Sequence, residues 1–252
     1  MAAPSPVNAV EKVLAVLEAL AEHRRLTDLA RSTGLAKSTV HRILQTMVEG
    51  GFAVFDEDNG YGPGPRMVGL AGRTLGELDT SVGAEPVMRR LQERFSATVH
   101  MAVIAGDEAV YVRKLEGNKP YRMVSRVGMS IPLHCTGIGK ALLAAMAEED
   151  VASLVQRTGL PRRTPRTLTT LDALMADLRT TRDRGWAGDV EENEDGIVCA
   201  GAAIRDHSGR MTAAISVSQL RSDPTAVALD VVGPEVAAAA AEVSTGLGAR
   251  TT

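Results

Sequence analysis

Gly137-Ile138-Gly139-Lys140-Ala141 is where residue types and spacing come closest to phosphate chemistry, since glycines ahead of a lysine can wrap a phosphate. A phosphate loop also needs a hydroxyl after the lysine and an earlier glycine, and this chain has Ala141 and His134 at those places. Nucleotide hydrolysis is therefore not expected. Asp189, Glu191, Asn193 and Asp195 alternate like a calcium loop, but Glu194 replaces the glycine and Ala200 the closing glutamate, so an acidic surface loop is expected. His134 and Cys135 are adjacent, and on extended backbone adjacent side chains point to opposite faces, which disfavours a nucleophile and base pair.

The same residues are suited to holding a small anion. Thr136 can cap a helix starting near Gly137, and the glycines let a ligand approach backbone N–H groups at the positive helix end. Ser216 and Ser218 lie two apart on an expected strand and share a face with Thr212 and Ala214, while Ile215 and Val217 face the other way. Paired hydroxyls of this kind can orient a ligand.

A second kind of chemistry lies near the start of the chain. Leu26 to Gln45 reads LTDLARSTGLAKSTVHRILQ, the pattern of two short helices joined by a glycine turn. Thr27 is the expected cap of the first, with Leu29 and Ala30 facing inward, and Gly34 supplies the turn. In the second, Val40, Ile43, Leu44, Met47 and Val48 recur at helical spacing. The opposite face carries Lys37, Ser38, Thr39, His41, Arg42 and Gln45, which can donate to phosphates or base edges in a major groove. With Arg25 and Thr27 these are the candidate DNA contacts.

Several elements must position these two sets. Val10, Val13, Leu14, Leu17 and Leu20 predict an amphipathic helix that completes a three-helix core, and residues 52–61 predict a β-hairpin wing around Asp56-Glu57-Asp58-Asn59-Gly60. Between His23 and Val48 five Lys or Arg stand against one acid, although the whole chain carries formal net charge −3. Such a local basic patch on an acidic body suits selective DNA binding rather than bulk polyelectrolyte binding. Met67, Leu70, Ala71, Thr74, Leu75 and Leu78 form an apolar stripe on an expected linker helix, which serves either dimerisation or packing on its own domain.

Beyond Gly83 and Pro86, which are expected to open a helix through Phe95, strands and helices alternate. Hairpins are expected at 98–104 with 109–115 and at 197–204 with 211–218, a further strand at 121–127, and helices at 141–147, 171–184 and 224–247. An antiparallel sheet carrying helices follows. The 252 residues, 44% hydrophobic and 23% charged, suffice for two domains. No secretory signal, no membrane-length apolar run and two distant cysteines, Cys135 and Cys199, lead to the expectation of a cytoplasmic protein with reduced thiols.

LARSTGLAKSTVHRIL, LHCTGIGKALLA at 133–144, RGWAGDVEENEDGIVCAGAAI at 184–204 and AAISVS at 213–218 together resemble the IclR family of bacterial transcription regulators, over nearly the whole length. The resemblance implies an α+β chain: a winged helix-turn-helix at 5–65, a linker helix at 66–82, and an α/β GAF-like effector-binding domain at 83–250. It implies a homodimer or dimer of dimers on a palindromic double-stranded DNA operator, with repression the commoner mode and activation open. It also implies an effector pocket walled by Met123 and Ile131, with Gly137 and Ile138 as backbone cradle and Asp189, Ile197, Cys199, Ser216 and Ser218 completing it. Ile138 stands where family pockets often carry a small residue, and so narrows this one.

Asp189 beside an anionic ligand is costly unless it is protonated or accepts a hydrogen bond. It can receive a ligand hydroxyl, which favours a hydroxy or keto acid as effector. No cofactor, metal or catalytic residue is assigned. An effector-controlled regulator is thus the leading class, ahead of a thiol-dependent or nucleotide-using enzyme fused to a DNA-binding domain and an architectural DNA-binding protein without effector.

Overall fold

The computed structural model describes residues 8–70 and 80–249. The chain divides into two compact units between Leu78 and Asp79.

The first unit opens with α1 (Ala9–Leu20), followed by α2 (Leu26–Thr33) and α3 (Lys37–Glu49). Asn8 and Glu11 form a capping box that fixes the start of α1: Asn8 Oδ1 accepts from the Glu11 amide, and the Glu11 carboxylate accepts from the Asn8 amide. Gly34, at φ 67°, ends α2 in the left-handed conformation that L side chains avoid. Strands β1 (Ala53–Asp56) and β2 (Gly60–Pro63) pair antiparallel as the wing, and Asp56 Oδ1 closes its tip by accepting from the amides of Asp58 and Asn59. Leu20, Leu29, Val40 and Leu44 form the core with Ala53 and Tyr61.

Two local expectations are corrected. Thr27 does not cap α2: the helix starts at Leu26, Arg25 holds the cap position without a side-chain bond, and Thr27 stands inside the first turn. In α1, Val16, Ala19 and Leu20 are buried, while Val10, Val13 and Leu14 are exposed. Only Glu11, Lys12 and Glu18 of its twelve residues are charged, so periodicity did not decide which apolar face packs.

The second unit runs α4 (Thr80–Phe95), β3 (Thr98–Ala105), β4 (Glu108–Leu115), β5 (Ser130–Ile131), α5 (Gly137–Ala144), α6 (Glu148–Thr158), α7 (Leu171–Arg184), β6 (Ala187–Val190), β7 (Ile197–Arg205), β8 (Met211–Leu220) and α8 (Leu229–Gly246). Its six-stranded antiparallel sheet has the order β5-β4-β3-β8-β7-β6. Ile138, Leu142 and Leu143 of α5 and Leu174 and Leu178 of α7 bury against Ala102, Ala187 and Ala214 of the sheet. Helices α4 and α8 pack on each other and on the strands.

Residues 65–70 are helical, and most of the apolar stripe expected on a linker helix, from Ala71 to Leu78, lies outside the described residues. Helix α4 passes through Gly83 and Pro86 rather than opening at them. Helix α5 spans 137–144: it starts at Gly137 as the Thr136 cap predicts, with Thr136 Oγ1 accepting from the Gly139 amide, and it ends short of the 147 expected for the 141–147 segment. Helix α8 starts at Leu229 rather than Pro224: Asp223 Oδ1 accepts from the Thr225 amide, and the Gln219 side chain binds the amide and carbonyl of Val227, which holds that stretch in a loop. Strand β6 and helix α6 were not anticipated.

Residues 121–127 form no strand. The Lys114 ammonium takes the carbonyls of Met123 and Ser125, at 2.7 and 2.6 Å, so that these oxygens serve a cation instead of a ladder. No helix among the described residues is long and apolar enough to cross a membrane.

Candidate functional site

In the first unit α3 presents its polar face outward. Lys37, Ser38, His41, Arg42 and Gln45 are exposed and Thr39 is half-buried, because Val40, Leu44 and Met47 take the inner positions. Arg25 and Thr27 are exposed at the start of α2. None of these eight side chains is engaged by another side chain among the described residues. Arg31, by contrast, pairs with Asp28 at 3.6 Å.

The second unit holds a cavity of about 350 Å³. All nine residues named for a pocket from the sequence line it: Met123, Ile131, Gly137, Ile138, Asp189, Ile197, Cys199, Ser216 and Ser218. The sheet brings them together by register, since Cys199 pairs across from both Asp189 and Ser218, and Gly201 across from Ser216. The first turn of α5 lies directly on β7. A side chain at Gly201 would meet Gly137 C and O at 2.6 Å and Ile138 N at 2.8 Å, so this contact requires glycine. The cavity therefore joins a helix N-terminus, which favours negative charge, to a face bearing Ser216 and Ser218.

Several lining residues were not named from the sequence. His100 and Tyr111 stack with ring centroids 4.4 Å apart, His100 Nε2 is 2.7 Å from Ser125 Oγ, and Arg122, exposed at the cavity, has no hydrogen bond or ion pair among the described residues. Alternation along β3 does place Thr98, His100 and Ala102 on one face. What it lacked was the pairing of His100 with Ser216, which a single strand does not reveal.

The electrostatics of the wall follow from burial. Asp189, 2% exposed, has its carboxyl pushed up to about 7, chiefly by desolvation, although its Oδ1 accepts from the Glu192 amide at 2.8 Å. His100 is held neutral: burial, and secondly the Lys114 charge, bring it down to about 3. Burial raises the Cys199 thiol and pushes Cys135 up to about 12, so neither is a ready thiolate. Cys135 Sγ lies 3.7 Å from Asn193 Oδ1 and His134 Nε2 lies 3.1 Å from the Pro161 carbonyl, so that adjacent pair serves separate surroundings. No cluster suited to a metal occurs among the described residues.

Lys140, first weighed as a phosphate-loop lysine, is fully buried in an ion triad with Glu192 at 2.6 Å and Asp177 at 3.0 Å. It ties the cradle helix to α7 and to the loop that carries the lining residues Asn193 and Glu194. Its role is structural.

A winged helix with an outward-facing recognition helix, joined to an α/β domain built around a small-molecule-sized cavity, defines a DNA-binding transcription regulator. Family models for the IclR helix-turn-helix domain and for the bacterial transcriptional regulator IclR C-terminal domain match residues 9–57 and 72–245. The chain belongs to the IclR family.

Among its relatives, the transcriptional repressor AllR of Escherichia coli is 34% identical, over 96% of this chain and 90% of that one. The transcriptional regulator XynR of the same species is 33% identical, over 86% and 87%. Among solved structures, an IclR homolog from Microbacterium hydrocarbonoxydans complexed with 4-hydroxybenzoate superposes with a TM-score of 0.82 at 26% identity, covering 94% of this chain and 97% of that one.

Proposed function

We propose that this protein is a repressor whose grip on a palindromic double-stranded DNA operator is controlled by a small organic acid bound in the cavity of the second unit. The observation that carries the reading is the convergence of the α5 N-terminus, the hydroxyls of Ser216 and Ser218 and Arg122, unpaired among the described residues, on one cavity. An anion is favoured at the helix end, a hydroxyl or carbonyl at the serines. AllR, by its name a repressor, and the 4-hydroxybenzoate held by a homologue support the two halves of the reading.

A homodimer, or a dimer of dimers, sets two α3 helices in successive major grooves about 34 Å apart or a multiple of it. The acid acts by binding one arrangement of the recognition helices better than another, relayed through residues 66–82. Arg25, Thr27, Lys37, Ser38, Thr39, His41, Arg42 and Gln45 supply the DNA contacts. No catalysis is assigned, and the protonated thiols fit that assignment.

Gel-shift titration of the DNA beside its own gene tests this reading, with and without 4-hydroxybenzoate and a panel of hydroxy and oxo acids. Absence of a specific shift at both low and moderate salt defeats it. Arg42→Ala is expected to weaken operator binding by about 1–3 kcal/mol and to lower the salt slope by about one, with acid affinity unchanged. Filter binding at several salt concentrations checks this.

The Asp189 carboxyl, raised to about 7, is neutral below that pH and ionised above it; Glu192, Lys140 and Cys199 interact with it, and Glu194 and the neutral His100 line the same cavity. Ionisation sets a second negative charge against a bound carboxylate. Affinity for a carboxylate is therefore expected to fall by up to about tenfold per pH unit above 7, as binding comes to require a proton. Asp189→Asn is expected to flatten that profile, and isothermal titration calorimetry between pH 6 and 9 measures both.

A further inference from the structure

A chain of polar contacts crosses the cavity wall outside the cradle. Cys199 Sγ lies 3.2 Å from Ser218 Oγ, Ser218 Oγ lies 3.5 Å from His100 Nδ1, and His100 Nε2 lies 2.7 Å from Ser125 Oγ. It joins β7, β8 and β3 to the segment at 121–127, and all four residues line the cavity. His100 is 2% exposed, stacks on Tyr111, and is fixed in place by Ser125, whose carbonyl is bound by Lys114.

A neutral imidazole has one N–H and one bare nitrogen, and which is which determines the direction of every bond along such a chain. With the proton on Nε2, His100 donates to Ser125, and Nδ1 accepts from the Ser218 hydroxyl. Ser218 also receives the Cys199 S–H, so it retains a single lone pair and can only accept from a ligand. With the proton on Nδ1, His100 and Cys199 both donate to Ser218, whose own O–H is left to donate to a ligand. Ser125 then donates to Nε2. The two states differ by one proton on one ring, and no charge is buried in either.

We propose that His100 is a specificity-determining residue of this cavity, setting through Ser218 whether the wall accepts from or donates to the ligand. The cavity then takes a carboxylic acid bearing either a hydroxyl or a carbonyl at the atom that meets Ser218. This rests on the organic-acid reading above and narrows it to acids that exist as alcohol and ketone partners. The effector then reports the pool of such a pair rather than its oxidation state, which places the ligand on either side of an alcohol dehydrogenation.

The test uses the full-length protein labelled with 15N-histidine, titrated with 2-hydroxy and 2-oxo acid pairs of increasing size: lactate with pyruvate, then mandelate with phenylglyoxylate. For the pair that binds, the two dissociation constants are expected within about tenfold of each other. The hydroxy acid is expected to move the His100 ring toward the Nε2–H form, and the oxo acid toward the Nδ1–H form.

His100→Phe keeps the ring beside Tyr111 but leaves the Ser218 hydroxyl with only the ligand to donate to. It is expected to shift the ratio of affinities about tenfold toward the oxo acid, with His100→Leu, which likewise neither donates nor accepts, as a second variant should His100→Phe fail to fold. A preference of more than about a hundredfold in the wild type, movement of the His100 signals in the same direction by both acids, or an unchanged ratio in the folded variant overturns the proposal. Failure of every pair to bind, while 4-hydroxybenzoate does, overturns it and leaves the organic-acid reading standing. Failure of all the acids removes both.

Discussion

Replacement of Lys140 by methionine is expected to lower the stability of the second unit by about 3–5 kcal/mol at pH 7, because it strands two acids around a fully buried site. Methionine nearly fills the volume, so the loss is one of charge rather than of packing. Burial already raises the Glu192 carboxyl, and without the ammonium it is raised further. An acid whose folded-state value lies above its unfolded value stabilises at low pH and loses that contribution as pH rises through the folded value. The deficit of Lys140→Met is therefore expected to shrink between pH 7 and pH 5, and Lys140→Met/Glu192→Gln to recover about half of it. Urea unfolding at both pH values measures this. A loss below about 1 kcal/mol with no pH dependence would show that the triad does not hold the cradle.

Gly201→Ala is the second large effect. The added methyl would lie 2.6 Å from the Gly137 carbonyl, against backbone that has no flexible end to move aside. Overpacking of this kind costs about 1–3 kcal/mol, and here the strain falls on the peptide groups of the proposed carboxylate cradle. Acid affinity is expected to fall at least about tenfold, while operator affinity without acid stays at the wild-type value. Calorimetry for the acid and anisotropy for the DNA separate the two. Equal loss of both would mean that the substitution unfolds the protein rather than displacing the cradle.

The sequence was most legible where rules are local. The glycine turn at Gly34, the polar face of α3 and the Thr136 cap each depend on residues within a turn or two, and the structure has them in place. Gly137, Ser216 and Ser218 also meet in one cavity, since period-two alternation keeps both serines on one face. Features set by distant partners were not legible. Residues 121–127 read as a strand until Lys114 is seen to take their carbonyls. The sequence argues against a phosphate-loop role for Lys140 but does not show what the lysine does until Glu192 and Asp177 are seen to close on it, and His100 went unnamed until β3 is paired with β8. In α1 too many apolar positions left the buried face undetermined.

The link between cavity and DNA is tested most directly by fluorescence anisotropy of an operator duplex at fixed salt, with and without a saturating acid identified by thermal shift, in wild type and in Ser218→Ala. Wild-type operator affinity is expected to change at least about tenfold on adding the acid, corresponding to a coupling of about 1.4 kcal/mol or more. Ser218→Ala is expected to bind the operator as wild type does and to lose most of that response. An operator affinity that ignores the acid in the wild type, or a Ser218→Ala response as large as the wild-type one, contradicts control of DNA binding from this cavity.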